Sequence, residues 1–169
     1  MSMDSTGLVV CLSLMEGGGD FIEVRNSARL EVWSTTPFVA GYGGIWDIVL
    51  TNTSRLDYYG GETEELILYK NATAHLHGGR IDGITSMQFT TTTGAGPHID
   101  LYAQPGWTWL DDDRMKGIEG QWMDGSSFTI KFSNHPNFDP VYTNINVIIP
   151  EPATLMLLGL GGLLIRRKK

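Results

Sequence analysis

Val24-Arg-Asn-Ser-Ala-Arg-Leu-Glu-Val32 matches Leu50-Thr-Asn-Thr-Ser-Arg-Leu-Asp-Tyr58 position by position, at a spacing of 26 along the chain. A second match, at a spacing of 18, aligns residues 48–65 with 66–83. The extra length of the first unit lies in residues 34–42, which we interpret as a loop insertion. Because the shorter unit has too few residues for a helix–turn–helix pair, this repeat is typical of one coil of a parallel β-solenoid.

The aligned units predict columns of apolar side chains that stack inside such a coil. These columns are Ile22, Ile48 and Leu66; Val24, Leu50 and Leu68; Leu30, Leu56 and Ala74; and Val32, Tyr58 and Leu76. The residues between them are mostly polar, which is the alternation of a strand with one solvated face. The corners are expected at glycine pairs such as Gly60-Gly61 and Gly78-Gly79, and near the Asn positions. An antiparallel β-sandwich stays open as the alternative.

The composition agrees with a mainly β body. The chain has 169 residues, of which 41% are hydrophobic and 21 are glycine. Before residue 150 no segment shows a sustained helical period of apolar residues. The repeat fades after residue 83, and three of the five tryptophans follow it, so we expect a closing β cap. The predicted organisation is repeats over 1–83, a cap over 84–146 and a C-terminal segment over 147–169.

The distribution of charge excludes one class of partner. Residues 1–149 carry 8 basic and 18 acidic side chains, and the other four basic residues end the chain. An acidic body without a basic patch argues against nucleic acid binding and suits a soluble extracellular surface. Cys11 is the only cysteine, so the sequence predicts neither a disulfide nor a cysteine-based metal site.

The C-terminal segment has three parts. Pro150-Glu151-Pro152 is stiff and extended, because each proline fixes its own φ and restricts the residue before it. An uncharged, apolar stretch follows, and it would form a helix of about 20 Å, short of the roughly 30 Å bilayer core. The residues of this predicted membrane segment are Ala153, Leu155, Leu157, Leu158, Leu160, Leu163, Leu164 and Ile165. The cationic end is Arg166, Arg167, Lys168 and Lys169, which is expected to stay cytoplasmic.

These three parts, in this order, resemble the PEP-CTERM sorting signal of Gram-negative bacteria. The resemblance covers about residues 148–169 and implies recognition by exosortase, a membrane transpeptidase-like enzyme, with processing near Pro150–Pro152. It also implies a destination in the cell envelope or extracellular polysaccharide. Tails of this kind are also labelled as an ice-binding protein C-terminal domain, although the tail itself supplies no ice-binding chemistry. An ordinary anchor or a buried helix is the alternative interpretation. The complete arrangement resembles surface proteins of planctomycete-type bacteria.

Export through the Sec machinery normally requires an N-terminal signal peptide with a basic start and a long apolar core. Residues 1–20 offer only a short apolar stretch after Asp4, without Lys or Arg. We therefore expect the true start to lie upstream.

Three clusters could carry chemistry. Asp111-Asp112-Asp113 could bind Ca²⁺, although consecutive aspartates in a strand point to alternate faces and a solvated turn is the simpler interpretation. His75 and His77 share a face of a strand and could hold a metal, but without a third ligand we interpret them as exposed surface residues. In the stacked units Glu62 lies over Arg80, and Glu64 lies over Asp82.

These features favour an exported structural or adhesive protein that is not an enzyme and has no catalytic residue, metal or cofactor. The main alternative is a carbohydrate-binding module, in which Trp33, Trp107 and Trp109 stack on sugars. A polysaccharide-active β-helix enzyme would require outward carboxylates that converge in a cleft. The expected partners are exosortase, the Sec machinery, the membrane and, through the body, extracellular polysaccharide.

Overall fold

The structure is a computed structural model that describes residues 2–4, 9–13, 19–37, 43–87 and 96–150, the first two segments as backbone only. The described residues are mainly β, and 57% of them lie in strands. The strands are β1 (Ser2–Asp4), β2 (Val9–Ser13), β3 (Gly19–Arg25), β4 (Arg29–Ser34), β5 (Ile45–Leu50), β6 (Arg55–Tyr58), β7 (Glu62–Tyr69), β8 (Thr73–Leu76), β9 (Arg80–Met87), β10 (His98–Tyr102), β11 (Thr108–Trp109), β12 (Gly117–Gln121), β13 (Ser127–Phe132) and β14 (Ile145–Ile148). A short 3₁₀ helix, Val141–Asn144, precedes β14.

Successive strands of the first part alternate between two sheets. The larger sheet has the order β1-β3-β5-β7-β9-β13-β12-β11, and the smaller has the order β14-β10-β8-β6-β4-β2. All neighbours pair in parallel except β11 with β12 and β12 with β13. The parallel pairing of β1 to β10 is incompatible with the antiparallel sandwich, and it confirms the prediction of a mainly β chain with parallel sheets.

The register of the pairing is the register of the sequence match. Ile48 pairs on one side with Ile22, its counterpart in the preceding unit, and on the other side with Leu66, its counterpart in the following unit. All four predicted apolar columns pair in this way and are buried, and side chains from both sheets form one core. Each fully buried aliphatic side chain contributes about 1.5–3 kcal/mol relative to an exposed one. The repeated columns therefore supply a large share of the driving force for folding of the described body.

One corner of each unit is a turn that requires a left-handed backbone. Asn26, Asn52 and Lys70 occupy it with φ values of 59°, 63° and 58°. The side chains form a chain of hydrogen bonds along this edge. Asn52 Nδ2 donates to Asn26 Oδ1 at 3.0 Å, and Lys70 Nζ donates to Asn52 Oδ1 at 2.8 Å. Asparagine tolerates this conformation better than most residues, which explains the predicted position of the corner.

The glycine corner is fixed by the close approach of successive units. Gly61 and Gly79 have positive φ values of 97° and 83°. A Cβ atom on Gly79 would lie 2.7 Å from the carbonyl oxygen of Gly61 and 2.8 Å from the ring of Tyr58. No side chain fits there without displacement of the backbone, so the glycine pair sets the spacing of the units at this edge.

The cap closes one end of the larger sheet with an antiparallel meander. Trp122 lies in the tight turn between β12 and β13, where it is fully buried, and its Nε1 donates to the Gly79 carbonyl at 2.8 Å. Its ring also packs against Phe128, with centroids 4.4 Å apart. The predicted boundary at residue 83 falls inside β9, because β9 continues to Met87, and β10 and β14 extend the smaller sheet beyond it.

Replacement of Gly79 by alanine tests the close-packed corner. We expect Gly79→Ala to lower the free energy of unfolding by more than about 2 kcal/mol, because the substitution combines positive φ with a backbone clash. The matched control is Gly83→Ala, whose Cβ would meet only ordinary contacts from 3.5 Å outward. Urea unfolding of both variants is the measurement, and equal midpoints would contradict the packing described here.

Candidate functional site

The outer face of the smaller sheet carries three parallel columns of polar and aromatic side chains, which we call the outer ladder. The columns follow the pairing of strands β4, β6, β8 and β10. The first holds Arg29, Arg55, Thr73 and His98; the second holds Glu31, Asp57, His75 and Asp100; the third holds Trp33, Tyr59, His77 and Tyr102. Residues that are aligned by the pairing of neighbouring strands therefore have their side chains close enough to interact.

Asp57 anchors the charged part of the outer ladder. The residue is only 1% exposed, and its Oδ2 accepts from Arg29 Nε at 2.6 Å while its Oδ1 accepts from Arg55 Nη2 at 2.7 Å. Burial opposes ionisation, but the hydrogen bonds and charges of the two guanidinium groups hold the pKa of Asp57 below its usual value. The carboxylate therefore stays charged and ties β4 to β6.

Asp100 lies between two histidines further along the same face. Its Oδ2 is 3.3 Å from His75 Nδ1, its Oδ1 is 3.0 Å from His98 Nε2, and Asn146 Nδ2 donates to Oδ1 at 2.9 Å. Burial and the charge of Arg55 lower the pKa of His75, so its imidazole is neutral at pH 7. This group ties β8, β10 and β14 together.

The third column is a continuous stack of rings. The centroid distances are 4.1 Å from Trp33 to Tyr59, 4.7 Å from Tyr59 to His77 and 4.2 Å from His77 to Tyr102, with interplanar angles of 12–16°. Burial lowers the pKa of His77. Although Trp33 is 54% exposed, one face of its indole is covered by Tyr59. The rings of Tyr59 and His77 have a neighbouring ring on both faces, so only their edges can meet solvent. A sugar stacks on the face of an aromatic ring, and these two faces are already covered.

The two histidines lie on the outer face of β8 and its extension, as predicted, but they are half-buried rather than exposed. They also belong to different columns: His75 faces Asp100, and His77 lies between Tyr59 and Tyr102. Across the side chains that the structure describes, no three His, Cys, Asp or Glu residues are grouped to hold a metal ion.

The other predicted site residues lie in the cap. Trp107 and Trp109 pack edge to face at 5.3 Å and lie partly buried against the core, and their stacking on a sugar stays a prediction. Asp111–Asp113 lie in the turn between β11 and β12, as the simpler interpretation predicted. There Asp111 Oδ1 accepts from the backbone N–H of Lys116 at 3.1 Å, while Asp112 and Asp113 are exposed.

Two shallow clefts flank β13. The first, about 350 Å³, separates it from the start of β9 and is lined by Arg80 and Asp82; the second, about 270 Å³, lies along β12.

Arg80 pairs in register with Glu62, as predicted, with an Nη1–Oε2 distance of 3.7 Å. Its shorter contact is the two-pronged one with Asp82, at 2.7 and 2.9 Å. The charge of Asp82 is thus balanced within its own strand.

The C-terminal motif begins directly beyond an edge of the body. Strand β14 pairs with β10 from Ile145 to Ile148, and the Ile148 carbonyl accepts from the Ala103 N–H at 3.0 Å. β14 is the outermost strand of the smaller sheet, and Ile149 and Pro150 are exposed. Glu151, Pro152, the apolar stretch with its predicted helix and the four basic residues lie outside the described residues.

Residues 149–169 match the family described as the PEP-CTERM protein-sorting motif. The chain therefore carries this motif at the predicted place, and the motif supports export, processing by exosortase and sorting to the cell surface. No curated protein and no solved structure matches the chain. Within the part of the chain that the structure describes, no helix is long and apolar enough to cross a membrane.

Sequence reasoning singled out Trp33 and His77 but missed the stack that joins them. The signal was present, because Trp33 and Tyr59 are separated by the longer spacing of the repeat, and Tyr59 and His77 by the shorter one. Tyr102 could not be found in this way, since no repeat connects it to His77. Its place in the stack follows from the pairing of β10 with β8.

The lowered pKa of His77 predicts a pH-dependent stability. Since the unfolded chain binds a proton more readily at this site, stability is full above the ordinary pKa of 6.5 and falls as the pH drops from there towards the lower, folded pKa. We expect His77→Phe, which keeps a ring in the stack, to lose less stability than the native chain between pH 7.5 and 5. Urea unfolding at both pH values tests this, and an unchanged pH dependence would contradict it.

Proposed function

We propose that this protein is an exported, cell-surface or extracellular-matrix component whose body is a short parallel β-solenoid with a structural or adhesive role. It enters through the Sec machinery, is held transiently in the inner membrane by its C-terminal segment and is then processed by exosortase. The alternation of strands between two parallel sheets, in the register of the sequence repeat, supports the solenoid.

The outer ladder supports a structural rather than a ligand-binding role for the smaller sheet. Its central acid, Asp57, is saturated by Arg29 and Arg55, and its rings cover one another. Groups that are already paired gain little from a ligand, whereas pairing across neighbouring strands stiffens the sheet. The larger cleft likewise holds Arg80 and Asp82 paired with each other, and we therefore propose a non-enzymatic protein.

The observation that carries the proposal is the position of the sorting motif. The family match starts at residue 149, directly after β14, the last strand of the described residues, ends at Ile148. From Ile148 to Ala153 the chain extends at most about 17 Å. While the tail is in the membrane, the edge of the smaller sheet is therefore held at the bilayer surface, and any processing near Pro150–Pro152 takes place close to the folded body.

Replacement of Pro150, Glu151 and Pro152 by alanine tests the sorting proposal in the native cells. We expect the triple variant to remain unprocessed in the membrane fraction, because the stiff recognition element is lost. The native chain should be recovered from the surface or matrix with a mass that ends near Pro150–Pro152. Intact-mass spectrometry of each fraction is the measurement.

The control is Pro136→Ala, which changes an exposed proline of the body and should leave processing intact. If the native chain in the membrane fraction still ends at Lys169, and none is found at the surface, the tail is a permanent anchor and the exosortase proposal is wrong.

A further inference from the structure

The larger sheet departs from the ordinary alternation along one line, which we call the bend row. In β5, β7 and β9 two neighbouring residues face outward between buried positions, and in β3 two outward residues precede the buried Ile22. Ile45 and Ile48, for example, are both fully buried. They are three positions apart, so strict alternation would place their side chains on opposite faces of the sheet. The outward pairs of the bend row are Asp20 and Phe21, Trp46 and Asp47, Glu64 and Glu65, and Asp82 and Gly83.

Two large aromatic side chains are adjacent and exposed in the bend row. Phe21 is 41% exposed and Trp46 is 46% exposed, and Phe21 pairs in register with Asp47, the neighbour of Trp46. Because paired strands lie about 4.8 Å apart, the two aromatic residues belong to one patch. An exposed aromatic surface that the core of the sheet does not use is a candidate binding surface.

Trp46 differs from the other tryptophans in the availability of its ring. Trp33 stacks on Tyr59, Trp107 and Trp109 pack on each other, and Trp122 is fully buried. Trp46 makes no ring contact with any other part of the chain that the structure describes. An open indole face binds the apolar face of a sugar ring, and it attracts a cation placed over it.

The groups around Trp46 are acidic. Asp47 and Glu65 are register partners on neighbouring strands, and Glu65 accepts a hydrogen bond from Thr85 Oγ1. Burial and the charge of Glu65 raise the pKa of Asp47, so the two carboxylates disfavour each other. On β9, the strand that pairs with β7, Arg80 has its shortest contacts with Asp82. A ligand that brings a positive charge would relieve this repulsion, whereas an acidic sugar would increase it.

We propose that the bend row is a binding site for a polysaccharide with free amino groups. Trp46 and Phe21 provide the surface on which a sugar ring stacks, and Asp47 and Glu65 accept hydrogen bonds from its ammonium group. This inference rests on the proposed extracellular role and adds to it a ligand class and a site on the body. It also moves the sugar-binding surface from the predicted Trp33, Trp107 and Trp109 to the bend row of the larger sheet.

The test is the affinity of the purified full chain for two matched probes, a tetramer of glucosamine and the same tetramer fully N-acetylated. We expect the free-amine tetramer to bind more tightly at low salt, and the difference to shrink as salt is added. Trp46→Ala should weaken binding of the free-amine tetramer about tenfold, the effect of losing about 1.4 kcal/mol. Isothermal titration calorimetry measures these affinities.

Two variants make the test specific. Asp47→Asn should reduce the advantage of the free-amine tetramer by about threefold and leave the N-acetylated tetramer unaffected. Trp33→Ala, which removes an exposed tryptophan from the other sheet, should leave both affinities unchanged.

Absence of binding, equal affinity for both tetramers, no effect of Trp46→Ala, or an equal loss in Trp33→Ala would each overturn the proposal. The sorting proposal is tested separately in cells. The Pro150–Pro152 variant should bind the tetramer like the native chain, so failure of one proposal is distinguishable from failure of the other.

Discussion

The structure depends on one constraint: each residue of the parallel strands must lie beside its counterpart in the strand one unit away. Hydrogen bonding fixes the separation of neighbouring strands at about 4.8 Å, so like positions form columns. Inside, this constraint demands apolar columns such as Ile22, Ile48 and Leu66. At the corners it demands residues that accept a left-handed backbone, and Gly61 and Gly79 satisfy it with no space left over. A residue whose size or polarity does not suit its column disturbs the packing against the units on both sides.

The same constraint gives the outer faces of the two sheets different properties. On the smaller sheet the columns bring opposite charges and flat rings together, as Asp57 with its two arginines and Tyr59 with His77 illustrate. On the larger sheet the bend row brings like charges together, and it leaves Trp46 open to solvent. One face thus adds stiffness, while the other retains groups whose interactions are unfavourable or incomplete. That contrast is the physical basis for the roles proposed above, support for the smaller sheet and binding for the larger one.

Strand β14 connects the body to the sorting motif. It pairs with β10 from Ile145 to Ile148, and its last carbonyl accepts a hydrogen bond from the Ala103 N–H. The matched motif starts at the next position of the chain. The motif therefore follows the edge strand of the smaller sheet without intervening residues in the chain.

The sequence by itself determined the parallel pairing register, the four apolar columns, the Glu62–Arg80 pair and the sorting motif. Each of these follows from spacing or local composition. The two spacings of the repeat specify which residues must be neighbours. The motif Pro150-Glu151-Pro152, with the apolar stretch and the basic residues that follow it, can be recognised without knowledge of the fold. The tertiary structure alone decided which aromatic side chains on the outer faces of the sheets are accessible to a ligand. The side chains of Trp33, Trp107 and Trp109 look like sugar-binding residues in sequence, but their rings pack against neighbours that are distant in the chain or pack on each other. Trp46 is open because Ile45 and Ile48 are both buried and the two residues between them face outward, a departure from alternation that Trp46 itself does not reveal in the sequence.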